Sequence, residues 1–195
     1  MIKSQNEDLN YLVDRLIKHA NHEIKFFGDT AKMLFLKNEF IIGDCSEICV
    51  KRRNLTKVLK YIPEGYRISY FDTYGHTSDK LRDMKFSALT HLKIYKDNQH
   101  IMNIYVYDVN NDEWMFRFNH SIRLPEKHIY FHSLPWGVDY IKPEIVLMYE
   151  LLRPGEYGTE ESNKEVIDAL SYYQFVILKV VVGEEKLHNA LSVHY

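Results

Sequence analysis

Apolar side chains change their spacing along the chain, from a helical period near the start to alternation in the middle. Within residues 6–22 they recur every three or four positions, at Leu9, Leu12, Leu16, Ile17 and Ala20. That spacing predicts an amphipathic helix with Asp and Lys on its outer face. Four later segments alternate apolar and polar residues, at 67–72, 91–95, 100–108 and 114–118. Alternation is typical of strands with one buried face, so these segments predict a sheet.

A different pattern lies between those regions, in FFGDTAKMLFLKNEFIIGDCSEICV at residues 26–50. Residues 25–27 predict a short strand. Gly28-Asp29-Thr30 predicts a turn, in which the side chain of Asp29 or Thr30 caps the helix that follows. A second strand is predicted at residues 47–51. The segment is therefore expected to form a strand, a turn, a helix and a second strand.

Prolines divide the last third of the chain. Pro125, Pro135-Trp136-Gly137 and Pro143 bound a stretch that is predicted to be irregular. Pro143 followed by Glu144 suits the start of a helix, because Pro is tolerated in the first turn and Glu favours the N-terminus. A last long helix is predicted from Thr159, with five inward residues at Val166, Ile167, Leu170, Tyr173 and Ile177.

The order of these elements predicts an α+β fold. The pattern predicts a mixed sheet with helices on one side and a C-terminal helical cap. The predicted domains are an α/β core at residues 1–135 and a C-terminal helical region at residues 136–195 that packs on the core.

Composition narrows the functional classes. The 195 residues carry a net charge of −2 with no basic stripe, which argues against a dedicated nucleic-acid binder. No apolar run approaches the roughly 20 residues of a membrane span. The polar N-terminus, MIKSQNEDLN, predicts no secretory signal, so we expect a cytoplasmic protein with Cys45 and Cys49 as reduced thiols. Composition does not define the oligomeric state.

Several short motifs occur in an order that resembles the nucleotidyltransferase superfamily. Gly28-Asp29-Thr30-Ala31 stands where that family has a Gly-rich turn, and Glu47-Ile48-Cys49-Val50 stands where it has Asp-Ile-Asp-Ile. Residues 103–106 match the strand of the third acidic residue, and residues 114–117 resemble its Trp-x-x-Arg. Residues 137–149, GVDYIKPEIVLMY, resemble a Gly-x-x-Tyr-x-x-Pro-Glu segment that opens an apolar helix. The chain is most similar to the lincosamide and aminoglycoside nucleotidyltransferases.

This resemblance implies a Mg²⁺ site that the sequence only partly retains. In the family, three carboxylates hold the Mg²⁺ that bridges the nucleoside triphosphate and the attacking hydroxyl. Here Glu47 keeps the first carboxylate, Cys49 replaces the second and Asn103 replaces the third. A thiol is a soft donor with little affinity for Mg²⁺, and an amide cannot take up a proton at neutral pH. We therefore expect ordinary metal-dependent catalysis to be lost, with Mg²⁺ and a nucleoside triphosphate as cofactors only in an active enzyme.

The resemblance also assigns roles to individual residues. Glu47 and Asp44 are the candidate catalytic residues, and Glu47 and Asn103 are the candidate metal ligands. The candidate nucleotide-binding residues are Gly28, Asp29, Thr30 and Arg117. A β-bulge could bring Asp44 and Glu47 to one metal. Asp72 and Asp108, on later strands, are further candidate carboxylates.

Each of these residues also has a structural interpretation. Asp29 and Asp44 flank turns, where Asp commonly makes local hydrogen bonds. Glu47 and Arg117 can be exposed strand residues. Gly28-Asp29-Thr30 can cradle a phosphate through backbone N–H groups at a helix start, or simply begin the helix.

Three functions stay open on this sequence. The first is a binding or regulatory protein for a nucleotide or another small ligand. The second is an active nucleotidyltransferase that moves a nucleoside monophosphate to a hydroxyl of a small molecule such as an antibiotic or a sugar. The third is a protein-interaction module, such as the neutralising member of a toxin pair, which the aromatic-rich strands permit.

Overall fold

A computed structural model describes residues 1–157 and 162–192. Its helices are α1 (Glu7–Ala20), α2 (Gly28–Lys37), α3 (Leu55–Leu59), α4 (Pro143–Leu152), α5 (Asn163–Ala169), α6 (Tyr172–Val182) and α7 (Glu184–Ser192). Its strands are β1 (Ile24–Phe26), β2 (Ser46–Lys51), β3 (Arg67–Asp72), β4 (Thr77–Ser78), β5 (Leu89–Lys96), β6 (Gln99–Asn110), β7 (Glu113–Met115), β8 (Arg123–Pro125), β9 (Tyr130–Ser133) and β10 (Val138–Ile141). Helices and strands are mixed in this order, so the predicted α+β class is confirmed.

These strands form one mixed sheet. Its main order is β4-β3-β5-β6-β2-β1-β10-β9, and β7 and β8 extend it from β6. β2 runs parallel to β6 and β1 runs parallel to β10, whereas β1 and β2 are antiparallel. The three strands β5, β6 and β2 are therefore direct neighbours in the middle of the sheet, although about 40 residues separate β2 from β5 in the chain.

α1 forms where the helical apolar period predicted it. Asn6 caps its N-terminus by accepting a hydrogen bond from the Leu9 N–H, and Glu7 and Asp8 occupy its first turn. The residues on its inner face are buried, at Leu9, Leu12, Val13, Leu16 and Ala20. The predicted amphipathic helix is confirmed.

The strand-turn-helix-strand unit at residues 24–51 is also present, but its helix is not capped as predicted. Phe27 occupies the N-cap position of α2 and makes no side-chain cap. The hydroxyl of Thr30 instead donates to the carbonyl of Ile41 over 2.9 Å, and Asp29 pairs with Lys32. The capping role predicted for Asp29 or Thr30 is wrong, because both side chains are engaged elsewhere.

The stretch predicted to be irregular contains two strands. β9 and β10 pair with each other in antiparallel register, and β10 joins the sheet beside β1, with Tyr140 opposite Phe26. The predicted domain boundary at residue 135 stays a prediction. The region after it contributes the strand β10 to the sheet as well as helices. The predicted last helix is two helices, because Ser171 caps a new helix at Tyr172. Its predicted start at Thr159 lies outside the described residues.

A single hydrophobic cluster joins the sheet to the helices. Its central sheet residues, Ile48, Ile104 and Leu92, are fully buried, and α4 contributes the buried residues Val146 and Leu147. None of the helices in the described ranges is both long enough and apolar enough to cross a membrane.

Candidate functional site

Two rows of side chains cross the middle of the sheet. Lys93 in β5 lies opposite Asn103 in β6, and Asn103 lies beside Glu47 in β2. The next row on this face, two residues along each strand, is His91, Tyr105 and Cys49. Side chains two residues apart on a strand share a face, so both rows belong to one surface. The residues that the resemblance selected, Glu47, Cys49 and Asn103, are thus neighbours.

Glu47 is the central carboxylate of this surface. The hydroxyl of Tyr105 donates to its Oε1 over 2.7 Å, and the Nδ2 of Asn103 donates to the same oxygen over 3.3 Å. These two donors fix the position of the carboxylate in the row.

The other oxygen of Glu47 lies against the start of α2. Gly28, the first residue of that helix, has a φ of +59°, and a Cβ built on it would stand 1.9 Å from the Oε2 of Glu47. Only glycine both accepts this backbone conformation readily and leaves room for the carboxylate. The positive end of the helix dipole also favours a negative charge there. Because Gly28 has no side chain, the carboxylate of Glu47 can lie directly against the start of α2.

An open cleft of about 510 Å³ lies over these rows. It is lined by Asp29, Cys45, Glu47, His91, Lys93, His100, Asn103, Tyr105, Arg117, Gly155, Glu156 and Tyr157. Arg117 follows β7, and its guanidinium donates to the hydroxyl of Tyr157 over 3.2 Å. The cleft thus combines carboxylates, two permanent cations and aromatic rings.

Four predicted site residues line this cleft, namely Asp29, Glu47, Asn103 and Arg117, whereas Gly28, Thr30 and Asp44 do not. Asp44 is exposed and lies outside the lining, and β2 pairs with β6 in continuous register with no bulge to turn Asp44 inward. Thr30 is buried and also lies outside the lining.

The two further candidate carboxylates, Asp72 and Asp108, form hydrogen bonds with groups outside the cleft lining. Asp72 accepts hydrogen bonds from the backbone N–H groups of Tyr74 and His76, which closes a local turn. Asp108 accepts two hydrogen bonds from the guanidinium of Arg52, over 2.6 and 2.8 Å. The structure therefore does not bring Asp72 or Asp108 to Glu47.

Cys49 is buried beneath the cleft. It borders a small internal space with Phe27, Tyr149 and other apolar or aromatic side chains, and it is not part of the cleft lining. Burial, followed by the negative charge of Glu47, raises the pKa of the Cys49 thiol. A buried neutral thiol is an even poorer ligand for Mg²⁺ than an exposed thiolate.

The donor set of the cleft does not fit the Mg²⁺ site that the resemblance implies. Such a site needs converging carboxylate oxygens, yet Glu47 is flanked by the amide of Asn103. Within residues 1–157 and 162–192, no three His, Cys, Asp or Glu side chains converge closely enough to hold a metal ion. Asp29, although it lines the cleft, is ion-paired with Lys32, over 2.8 Å.

Lys32 links the cleft to the C-terminal helices. Its side chain is fully buried, and its Nζ lies 2.8 Å from Asp29 Oδ1, 3.2 Å from Glu150 Oε1 in α4 and 3.1 Å from Asn163 Oδ1 in α5. Burial raises the pKa of Glu150 to about 8, although the charge of Lys32 opposes that rise. Asp29 is thus held by a buried cation that also joins α2 to α4 and α5.

Cys45 and His100 form a second polar group at one end of the cleft. Since the amide nitrogen of Asn103 donates to Glu47, its oxygen faces His100 and accepts from Nε2 over 2.9 Å. Cys45 Sγ lies about equally far from both ring nitrogens, at 4.0 and 3.9 Å. Burial, followed by the charge of Glu47, raises the pKa of the Cys45 thiol to about 12, so it is neutral near pH 7.

The histidines of the cleft are neutral near pH 7 as well. Burial, with the positive charges of Arg117 and Lys93 nearby, lowers the pKa of His91 to about 4. Burial and then Lys93 also lower the pKa of His100. The positive charge of the cleft lining therefore comes from Lys93 and Arg117.

Sequence reasoning did not select Lys93, His91 and His100 as site residues. The signal for Lys93 and His91 lay in the alternation of residues 91–95, because both occupy the polar face of a predicted strand. The turn residues Asp97-Asn98 between the two alternating segments indicate a hairpin, which pairs β5 with β6. What the local pattern could not show is that β2 lies on the other side of β6, which places Glu47 beside Asn103.

Among known proteins, this chain is similar to others at the level of structure. No protein-family model matches the chain. No curated protein matches it either. Solved structures similar to it include the polyadenylate synthase of Megavirus, at 14% sequence identity and a TM-score of 0.43. The aligned region covers 97% of this chain and 35% of the synthase chain, so this chain spans about a third of the length of that protein.

Proposed function

We propose that this chain is a binding or regulatory protein that takes a nucleotide, or a related phosphorylated small molecule, in the cleft without metal-dependent transfer. The observation that carries the proposal is the row Glu47, Asn103 and Lys93. Metal-dependent transfer needs further carboxylates beside Glu47. The cleft instead offers an amide and an ammonium there.

The cleft has the chemistry that a nucleotide requires. The planar guanidinium of Arg117 can hold two phosphate oxygens at once, and its hydrogen bond to Tyr157 fixes its position. The rings of Tyr105 and Tyr157, whose centroids lie 4.8 Å apart, offer an aromatic wall to a base. The volume of about 510 Å³ is in the range of small-molecule sites.

Replacing Glu47 with glutamine distinguishes this function from metal-dependent catalysis. The change removes a negative charge from the cleft while leaving an oxygen that can accept from Tyr105. We expect ATP to bind the Glu47→Gln variant about two- to fivefold more tightly than the unmodified protein, because a repulsive charge has been removed. Isothermal titration calorimetry in EDTA measures this change.

Asp44→Asn is the matched control, since Asp44 is an exposed acid of the same segment outside the cleft lining. We expect this control to leave the affinity for ATP unchanged. Loss of ATP binding in Glu47→Gln would mean that the carboxylate itself is required for binding and would refute the proposed function.

A further inference from the structure

Lys93 and Arg117 are two partly buried cations on one cleft. Many other buried or partly buried cations pair with a carboxylate, as in Lys25–Asp139, Lys32–Glu150, Lys51–Glu126 and Arg52–Asp108. Arg15 instead donates to the carbonyl of Tyr61, and Lys142 lies over the ring of Phe131. In the described ranges, neither Lys93 nor Arg117 forms an ion pair with a carboxylate, although both are half-buried. Removing a cation from water without an anionic partner is unfavourable. Two such cations on one cleft indicate an anionic ligand.

The position of Lys93 is specific. It lies opposite Asn103, the residue that replaces the third carboxylate, and Asn103 joins it to Glu47 across β5, β6 and β2. Opposed residues of neighbouring strands have Cβ atoms about 5 Å apart, so the lysine side chain starts on the same face of the sheet as the amide of Asn103. Its Nζ lies 5.5 Å from the centroid of the Phe71 ring, which stacks on His91 at 4.4 Å.

We propose that Lys93 supplies the positive charge that a metal ion supplies in metal-dependent phosphate sites, and that the ligand's di- or triphosphate chain lies between Lys93 and Arg117. This inference rests on the proposed function and names the part of the ligand that the cleft recognises. An ammonium is a compact point charge that binds phosphate without defined coordination geometry, whereas a guanidinium binds it in a planar fork. The two side chains together can neutralise a chain of phosphates.

The test uses inorganic pyrophosphate as the probe, because it carries the proposed recognition element and no base. Titration calorimetry in EDTA compares the unmodified protein with Lys93→Met and Lys93→Arg. We expect Lys93→Met to weaken pyrophosphate binding about tenfold or more, which is the loss of one charge-assisted contact. Lys93→Arg, which keeps the charge, is expected to retain most of the affinity.

Lys96→Met is the matched control, since Lys96 belongs to the same strand and lies outside the cleft lining. Its affinity for pyrophosphate should equal that of the unmodified protein, and thermal unfolding of each variant verifies that it is folded. If Lys93→Met and the unmodified protein bind pyrophosphate with equal affinity, the proposed role of Lys93 is wrong, while the proposed function is not affected. Failure of the unmodified protein to bind ATP or pyrophosphate would overturn the proposed function together with it.

Discussion

At a pH above about 8, where Glu150 is ionised, replacing Lys32 with methionine is expected to lower the free energy of unfolding by about 3–5 kcal/mol, the usual cost of removing one partner of a buried ion pair. Lys32 has no exposed side-chain surface, and Glu150, its partner over 3.2 Å, is 1% exposed. Methionine matches the length of lysine but leaves Glu150 as a buried charge without this cation. Denaturant unfolding followed by circular dichroism measures the loss.

The cost of Lys32→Met should also depend on pH. Burial already raises the folded-state pKa of Glu150 to about 8, above its ordinary value of 4.5. A raised carboxyl pKa contributes stability that is fully present below the unfolded pKa and is lost as the pH rises through the folded pKa. Lys32 limits that rise, so its removal raises the pKa of Glu150 further. Both folded proteins therefore hold Glu150 protonated up to about pH 8, and the stability difference between variant and unmodified protein should be small below that pH and grow as the pH rises above it.

Two further variants control for other effects of this change. Lys37→Met alters an exposed lysine of the same helix and should change stability by less than about 0.5 kcal/mol. Lys32→Met combined with Glu150→Leu removes both charges and should recover most of the loss, because no unpaired charge stays buried. A cost of Lys32→Met that is the same at about pH 6 and about pH 10 would show that Glu150 is not its source.

Replacing Gly28 with alanine is expected to cost about 2–3 kcal/mol of stability. A left-handed backbone costs a residue with a Cβ about 1–2 kcal/mol. The new methyl group would also meet the Oε2 of Glu47 at 1.9 Å, so the carboxylate must move away from Tyr105 and Asn103. Losing those hydrogen bonds adds about 1 kcal/mol. Chemical denaturation measures the sum.

A double-mutant cycle separates the two parts of the Gly28→Ala effect. In a Glu47→Ala background the collision is absent, so we expect Gly28→Ala to cost only the backbone part, about 1–2 kcal/mol. Gly43→Ala is the matched control, because a Cβ there meets nothing within 4 Å. Additive effects of Gly28→Ala and Glu47→Ala would contradict the close packing of Glu47 against α2.

The spacing of apolar residues was enough to predict the helices and strands that form from their own sequence. α1 has the buried stripe that its spacing indicated, and β3 has the predicted bounds at Arg67–Asp72. β9 and β10 were missed because they are four residues long and lie among prolines and a glycine. Such short strands form because a neighbouring strand pairs with them, and β10 pairs with β1, more than 100 residues away.

The candidate site was predictable only where neighbours in sequence are neighbours in space. Gly28 and Glu47 belong to one local unit, and the structure places them in contact. The pairing of Asn103 with Glu47 and that of Lys32 with Glu150 depend on long-range packing, since more than 50 residues separate the partners in each pair. A signal did exist for Lys32 and Glu150, because each is a charged residue within an otherwise apolar helix segment and such residues need a partner.

Calorimetric titration of the unmodified protein with ATP, once with Mg²⁺ and once with EDTA, tests most directly the claim that this cleft acts without a metal ion. We expect ATP to bind in EDTA with an affinity equal to or greater than that in Mg²⁺, because free ATP presents more negative charge to Lys93 and Arg117. Binding that requires Mg²⁺ and is followed by release of pyrophosphate would contradict the claim.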